Sequence, residues 1–319
     1  MFLPVPHADR RWTPGTPLDL GATMGVLTRG DSHPTARIDH DGALWITTRT
    51  GDDPLTARFS RVGPGTELNR DVHVQAWGLG AEAFMAEAPR WAGEGDDWTG
   101  LRHGSSWDLL PESLRRARSR HPGVRLIATG RLVETLVNAV LEQRVTGGEA
   151  VRAQRWLARA HGDPAPGPVP EGMRVFPSAA TIRRIPSWAW HRAGVDPARS
   201  RTIQNVVERA AGLDRWNTVA LGPDLQRAVG SIPGVGPWTL AQTLQITHGD
   251  PDSVSVYDYH LAHHVTEFFD GHRGEDARML ELLEPWSGHR QRVVRLLYLS
   301  GWRPQAKGPR LSPEDRRHM

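Results

Sequence analysis

Two short stretches of this chain have residue types and spacings that could do chemistry. The first, SIPGVGPWTLAQ (231–242), sets Gly234 and Gly236 in a tight turn and runs into a helical pattern from Pro237. Glycine tolerates positive φ and leaves its backbone N–H unshielded. Proline suits the first turn of a helix, where its missing N–H costs nothing. Amides at a helix N-terminus, with the positive end of the dipole behind them, make a phosphate site that reads no base. An ordinary turn between two helices has the same pattern. The second stretch, SVSVYDYHLAHHVTEFF (253–269), places Asp258 22 residues after Gly236, where an extended run yields to a helical stripe of Leu261 and Val265. The helix dipole favours a charged carboxylate there, and such a group can stabilise developing positive charge or orient a water. Aspartate is also a preferred N-cap, which alone would explain it. His260 and His264, at i, i+4 beside Asp258, admit a metal-dependent hydrolase, but no third ligand and no HExxH pattern accompanies them.

Composition narrows the field. The 319 residues allow one to three domains with ample core. With 0 cysteines there is no disulfide, thiolate zinc site, iron–sulfur cluster or cysteine nucleophile. All but one of the 39 basic residues are arginine, Lys307 being the exception, while the net charge is only +3. Arginine forks match phosphate oxygens, yet GC-rich coding produces the same bias. No apolar run is long enough to span a membrane. The opening MFLPVPHADRR is too short in its apolar part for a secretory signal, so the expected location is cytoplasmic.

These site residues need elements to hold them. Residues up to about 100 read as β-rich: TARIDHDGALWITTRT (35–50) has a turn between two alternating runs, and PLTARFSRV and DVHVQAWG continue the style. A helical piece, GAEAFMAEAPRWAG, follows. The character changes after GEGDDWTGLRHGSSW. RLVETLVNAVLEQR (131–144) carries an apolar face at i, i+4 spacing. Thr146 and Glu149 have capping-box spacing for the next helix. After the Pro/Gly loop DPAPGPVPEG (163–172), helices are expected at 178–184, 198–212, 223–230, 237–248, 259–269, 275–284 and 288–299. The glycine fragments GLGAEA and GPGTEL lack the strand-to-helix setting of a phosphate loop.

Together the hairpin and the spaced aspartate resemble the helix-hairpin-helix DNA glycosylases, most nearly the alkylpurine branch, bacterial 3-methyladenine DNA glycosylase II. The resemblance covers about 120 to 303, through LVNAVLEQRVT, SIPGVGPWT, VYDYHL, LLEPW and LLYLSGWRP. It implies an α+β fold: a β-rich N-terminal domain (1–110), a two-lobed all-helical body (111–303) and a polar tail (304–319). It implies a monomeric enzyme that flips and excises alkylated purines from double-stranded DNA at the nucleoid, with no membrane partner. Asp258 is then catalytic, and Trp238, Tyr257, Tyr259, Tyr298 and Trp302 are base-pocket candidates. The hairpin amides (Gly234, Val235, Gly236, Thr239) grip DNA, and Gln143 and Arg144 are candidates to plug the hole left by the flipped base. Carbonyls of Gly230, Ile232 and Gly234 hold a structural Na+ or K+. No cofactor is expected for catalysis, and no iron–sulfur cluster. Relatives that also nick the strand carry lysine where this chain has Trp238, which implies base removal without lyase activity. A non-catalytic DNA-binding module that kept the hairpin is the alternative from another class.

Overall fold

The computed structural model describes residues 4–30 and 33–304. The N-terminal layer is a five-stranded antiparallel sheet in the order β1-β5-β4-β3-β2. Its strands are β1 (Ala8–Trp12), β2 (Ala36–Ile38), β3 (Leu44–Thr50), β4 (Asp53–Val62) and β5 (Asp71–Gly78). Period-2 alternation gives the sheet its faces. Leu55, Ala57 and Phe59 of β4 and Val72, Val74 and Ala76 of β5 are fully buried, with Phe59 opposite Val74 in register. They pack with α1 (Leu20–Met24) and α2 (Ala81–Trp91), where Phe84 sits edge-on to both Phe59 and Trp91. The opposite face stacks Trp45 on Trp77. A two-stranded ribbon, Asp163–Pro164 with Arg174–Val175, brings Met173 over this pair.

Two helical lobes follow. The chain passes through α3 (Ser105–Asp108) and α4 (Glu112–Arg120), then enters the first lobe. That lobe comprises α5 (Leu132–Leu141), α6 (Gly147–His161), α7 (Ala179–Arg183), α8 (Ser187–Arg192), α9 (Pro197–Glu208), α10 (Ala210–Asp214), α11 (Pro223–Gly230) and α12 (Pro237–Thr247). Its core joins Leu136, Val140, Ile203, Val206, Val229 and Leu244. The chain then returns to pack α13 (Leu261–Asp270), α14 (Asp276–Leu283) and α15 (Arg290–Leu299) against α4. Trp98 and Leu101, on the N-terminal side of the 110/111 division, belong to this second helical core and not to the sheet.

The local chemistry accounts for most boundaries. The expected capping box between Thr146 and Glu149 is present. Pro223 and Pro237 open α11 and α12, and Asp196 with Pro197 opens α9. The single helix expected at 198–212 is split at Arg209 into α9 and α10. The tail's residues 305–319, Lys307 included, lie outside the described residues. No helix among the described residues is long and apolar enough to cross a membrane.

Candidate active site

The hairpin between α11 and α12 is built as its residues dictate. Gly234 has φ +91°, and a Cβ there would sit 2.0 Å from Thr202 Oγ1, so only glycine fits against α9. Val235 N–H is spent inside the turn on the Ile232 carbonyl. Gly236 is extended at the start of α12 and offers no side-chain cap, so the first-turn amides of Trp238 and Thr239 have none. Asn205 of α9 donates to the Pro233 carbonyl at 3.0 Å and fastens the turn from outside.

Gln143 and Arg144, paired in the sequence reading, have different situations. Gln143 Nε2 donates to the Gly234 carbonyl at 3.0 Å and to Thr239 Oγ1 at 2.8 Å, tying the end of α5 to the hairpin. Arg144 is exposed with φ +53°. Buried Arg199 donates to the Leu141 carbonyl, so this turn springs from a fixed point. Arg144 and Tyr257 (φ +63°) are the only non-glycine residues with positive φ among the described residues, and both flank the site. Backbone strain of this kind persists where the surroundings hold it and clusters at functional positions. For the alkali ion, the Gly234 carbonyl already accepts Gln143 and the Ile232 carbonyl accepts Val235 N–H. Each keeps one lone pair.

Asp258 sits at the junction of α12 and α13. The helix starts two residues later than 259, at Leu261, but the carboxylate still caps it: Oδ1 accepts His260 N–H at 2.8 Å and Leu261 N–H at 2.9 Å. Oδ2 accepts the indole N–H of Trp238 at 2.9 Å. Three donors therefore fix one carboxylate, with one lone pair on Oδ2 left free. Trp238, the second residue of α12, thus connects the hairpin to the carboxylate.

Around this pair the aromatic candidates divide. Tyr298 on α15 is half-exposed; burial, and then the negative charge of Asp258, push its hydroxyl up to about 12, so it stays protonated. Its hydroxyl lies 3.2 Å from His264 Nδ1. Trp302 packs edge-on to Phe268 and His264. Tyr257 and Tyr259 flank Asp258 but are 78% and 73% exposed on the surface. His264 stacks on His260 at 5.5 Å, and burial followed by His260 lowers its pKa. Among the described residues no group of three His, Cys, Asp or Glu side chains is arranged to hold a metal.

A cavity of about 330 Å³ is bounded by the sheet domain, α5, α12 and α15; neither Trp238 nor Asp258 is among its lining residues. Gln242, one turn beyond Trp238, and Tyr298 line it, as do Glu134 and Asn138 of α5. The sequence reading did not single out Glu134, Asn138 or Gln242. Their signal was local: Glu134 and Asn138 are polar residues at i, i+4 on an otherwise apolar helix, and Gln242 follows Trp238 by four.

No protein-family model matches this chain. A probable bifunctional transcriptional activator/DNA repair enzyme AlkA of Mycobacterium tuberculosis is 34% identical over 151 residues, which span 46% of this chain and 29% of that protein. In fold, the chain is similar to a 3-methyladenine DNA glycosylase from Archaeoglobus fulgidus (TM-score 0.73, 14% identity, 91% of this chain and 98% of that one). It is also similar to an 8-oxoguanine glycosylase/lyase from Clostridium acetobutylicum in complex with double-stranded DNA (TM-score 0.65, 10% identity, 91% and 96% covered). The chain thus resembles the helix-hairpin-helix DNA glycosylases in part of its sequence and, over nearly its whole length, in its α+β fold.

Proposed function

We propose that this protein is a monofunctional DNA glycosylase that extrudes alkylated purines from double-stranded DNA and hydrolyses their N-glycosidic bond. The observation that carries the reading is Asp258: a carboxylate fixed by two backbone amides and the indole of Trp238 in the first turn after the hairpin, its charge acting on Tyr298, which lines a cavity large enough for a base. The amides of Gly234, Gly236 and Thr239 grip the backbone, with an alkali ion on the carbonyls of Gly230, Ile232 and Gly234 stiffening the turn. Arg144 enters the duplex where the base has left. Extrusion costs a few kcal/mol, less at a damaged pair. As the bond to the base lengthens, positive charge grows on the sugar, and the negative charge of Asp258 stabilises it without reorganisation. The free lone pair on Oδ2 accepts a proton from the attacking water. A purine alkylated at N3 or N7 is already cationic and leaves without a strong general acid.

Trp238 stands where a Schiff-base lysine would be needed, so chemistry stops at the abasic site. The enzyme acts as a monomer on cytoplasmic, nucleoid DNA. The test is methylated duplex DNA. Free methylpurine is expected in the supernatant, with strand breaks only after alkali treatment. Breaks without alkali would overturn the monofunctional reading, and no released base would overturn the enzyme.

A further inference from the structure

The cavity lined by Gln242 and Tyr298 is polar in a way that stacking alone does not require. Trp91 and Tyr298 are its only aromatics besides His33. Two carboxylates line it, and they differ. Glu142 is held on Oε1 by an ion pair with Arg29 at 2.6 Å and a hydrogen bond from Gln154 at 2.8 Å. Glu134 has only a long contact from the Thr48 hydroxyl, 3.3 Å. Arg131, whose charge acts on Glu134, is itself paired with Glu87 at 2.6 Å. Glu134 is enclosed by protein, and what surface it retains faces the cavity it lines. Its place in the first turn of α5 suits the helix dipole, but the dipole does not account for a carboxyl with spare acceptor capacity beside a cavity. Four more residues bounding the same space, His33, Trp91, Thr129 and Gln154, each hold a buried polar atom without a partner. Buried polar groups are nearly always satisfied, so such a cluster around one cavity points to a polar occupant.

We propose that Glu134 is the specificity-determining residue of this cavity, its carboxylate reading the two-donor edge, N1–H and exocyclic N2–H, of an extruded guanine-type base. The inference rests on reading the chain as a base-excising enzyme. Two parallel donors match the two oxygens of a carboxylate, whereas adenine offers one donor beside an acceptor nitrogen, whose lone pair the carboxylate repels. Trp91 Nε1, which has no partner, and the amide of Asn138 line the same cavity and are the donors available to the carbonyl at position 6, since Gln242 and Gln245 already donate to Ser255 and to the Ser253 carbonyl. A site built to hydrogen-bond a substrate edge rejects an analogue lacking it far more strongly than an apolar pocket can.

The test is Glu134→Gln at pH 8, where the wild-type carboxyl is ionised; the variant keeps the shape and removes the charge. Single-turnover release of 7-methylguanine is expected to fall roughly 10–100-fold, with release of 3-methyladenine within about threefold of wild type. A second arm titrates free 7-methylguanine and free 3-methyladenine into the folded protein by calorimetry. Wild type is expected to bind the guanine base, and Glu134→Gln to lose at least tenfold of that affinity. If wild type releases bases and the variant leaves both substrates unchanged, or slows both equally with a lowered Tm, the Glu134 assignment is overturned and the glycosylase reading stands. If wild type releases nothing yet binds 7-methylguanine through Glu134, the recognition stands and the glycosylase reading is overturned. Neither release nor free-base binding overturns both.

Discussion

Asp258→Asn separates the capping role of this residue from its charge, because the structure assigns the two oxygens different tasks. The amide Oδ1 of asparagine can still accept His260 and Leu261 N–H, so the start of α13 is preserved. The other end then presents an NH2 to the Trp238 indole N–H, donor against donor, across what was a 2.9 Å bond. A hydrogen bond to a charged acceptor contributes about 1.5–3 kcal/mol, and the half-buried position favours the lower part of that range. With an unfolding entropy of roughly 2.1 cal/mol/K per residue, a chain of 319 residues unfolding as one unit loses roughly 2–4 °C in Tm. Base release is expected to fall about 10²–10³-fold, the usual consequence of removing one preorganised electrostatic group. Trp238→Phe removes the same bond but leaves the carboxylate, so it should keep far more activity. In the double variant the donor–donor conflict is gone, and the two stability costs should fall short of additivity by about 1–2 kcal/mol. Calorimetry, an abasic-analogue binding assay and single-turnover release measure all three quantities. Costs that add within about 0.3 kcal/mol would refute the coupling, and wild-type release by Asp258→Asn would remove the residue from the chemistry.

Other consequences follow from the same geometry. Gly234→Ala must adopt φ +91° and push its Cβ into Thr202; a loss of about 2–4 kcal/mol in urea titrations and weaker binding to undamaged DNA are expected. Adding Thr202→Ala should restore part of the stability but not all, since the positive φ remains. Arg144→Ala should slow excision of a lesion paired in a duplex at least tenfold more than excision of the same lesion in a single strand; equal effects on both would assign Arg144 to backbone contact instead. Burial pushes Glu134 up from its ordinary 4.5 to about 7, against the opposing charges of Arg131 and Arg49 and the Thr48 hydroxyl. A raised folded-state pKa means its contribution is complete below about 4.5 and lost as pH rises through about 7. Wild type should therefore lose about 2 kcal/mol relative to Glu134→Gln between pH 5 and pH 8, read by chemical denaturation at each pH. Parallel curves for the two proteins would show that Glu134 is not buried as described.

The parts of the site that were legible in the sequence are those set by local rules. Gly234 and Pro237 announce a turn and a helix start because backbone sterics favour them there, whereas Gly236 is extended with open space around it. Asp258 stands out because an acidic residue at the entry to a helix has a physical reason to be there. The strands of 44–78 were legible from alternation. β1 was not: ADRRW is an edge strand whose core-facing positions are only Ala8, Arg10 and Trp12, so its alternation is masked by charge and it reads as polar loop. The ribbon at 163–175 has two-residue strands, below any periodicity, and is fixed by Trp77 packing under Gly167.

What stayed hidden was set by juxtaposition. Trp238 and Asp258 are 20 residues apart, and nothing local says that the indole N–H will meet the carboxylate. Tyr257, Tyr259 and Tyr298 looked alike as aromatic neighbours of the site, yet only Tyr298 lines the cavity. The difference arises because α15 returns from a separate core to face α12, whereas residues 257 and 259 stand on the strained loop before α13. The cavity draws on Glu134, His33 and Gln154, three segments that meet only when the sheet domain docks on both lobes. On the proposed reading the chemistry is local and the selectivity is not: Asp258 and its donors come from 238–261, while the cavity walls come from every layer of the fold. Substitutions in the sheet domain that shift Thr48 or Trp91 should therefore alter which base is released without silencing release, the reverse of what substitutions at Asp258 do.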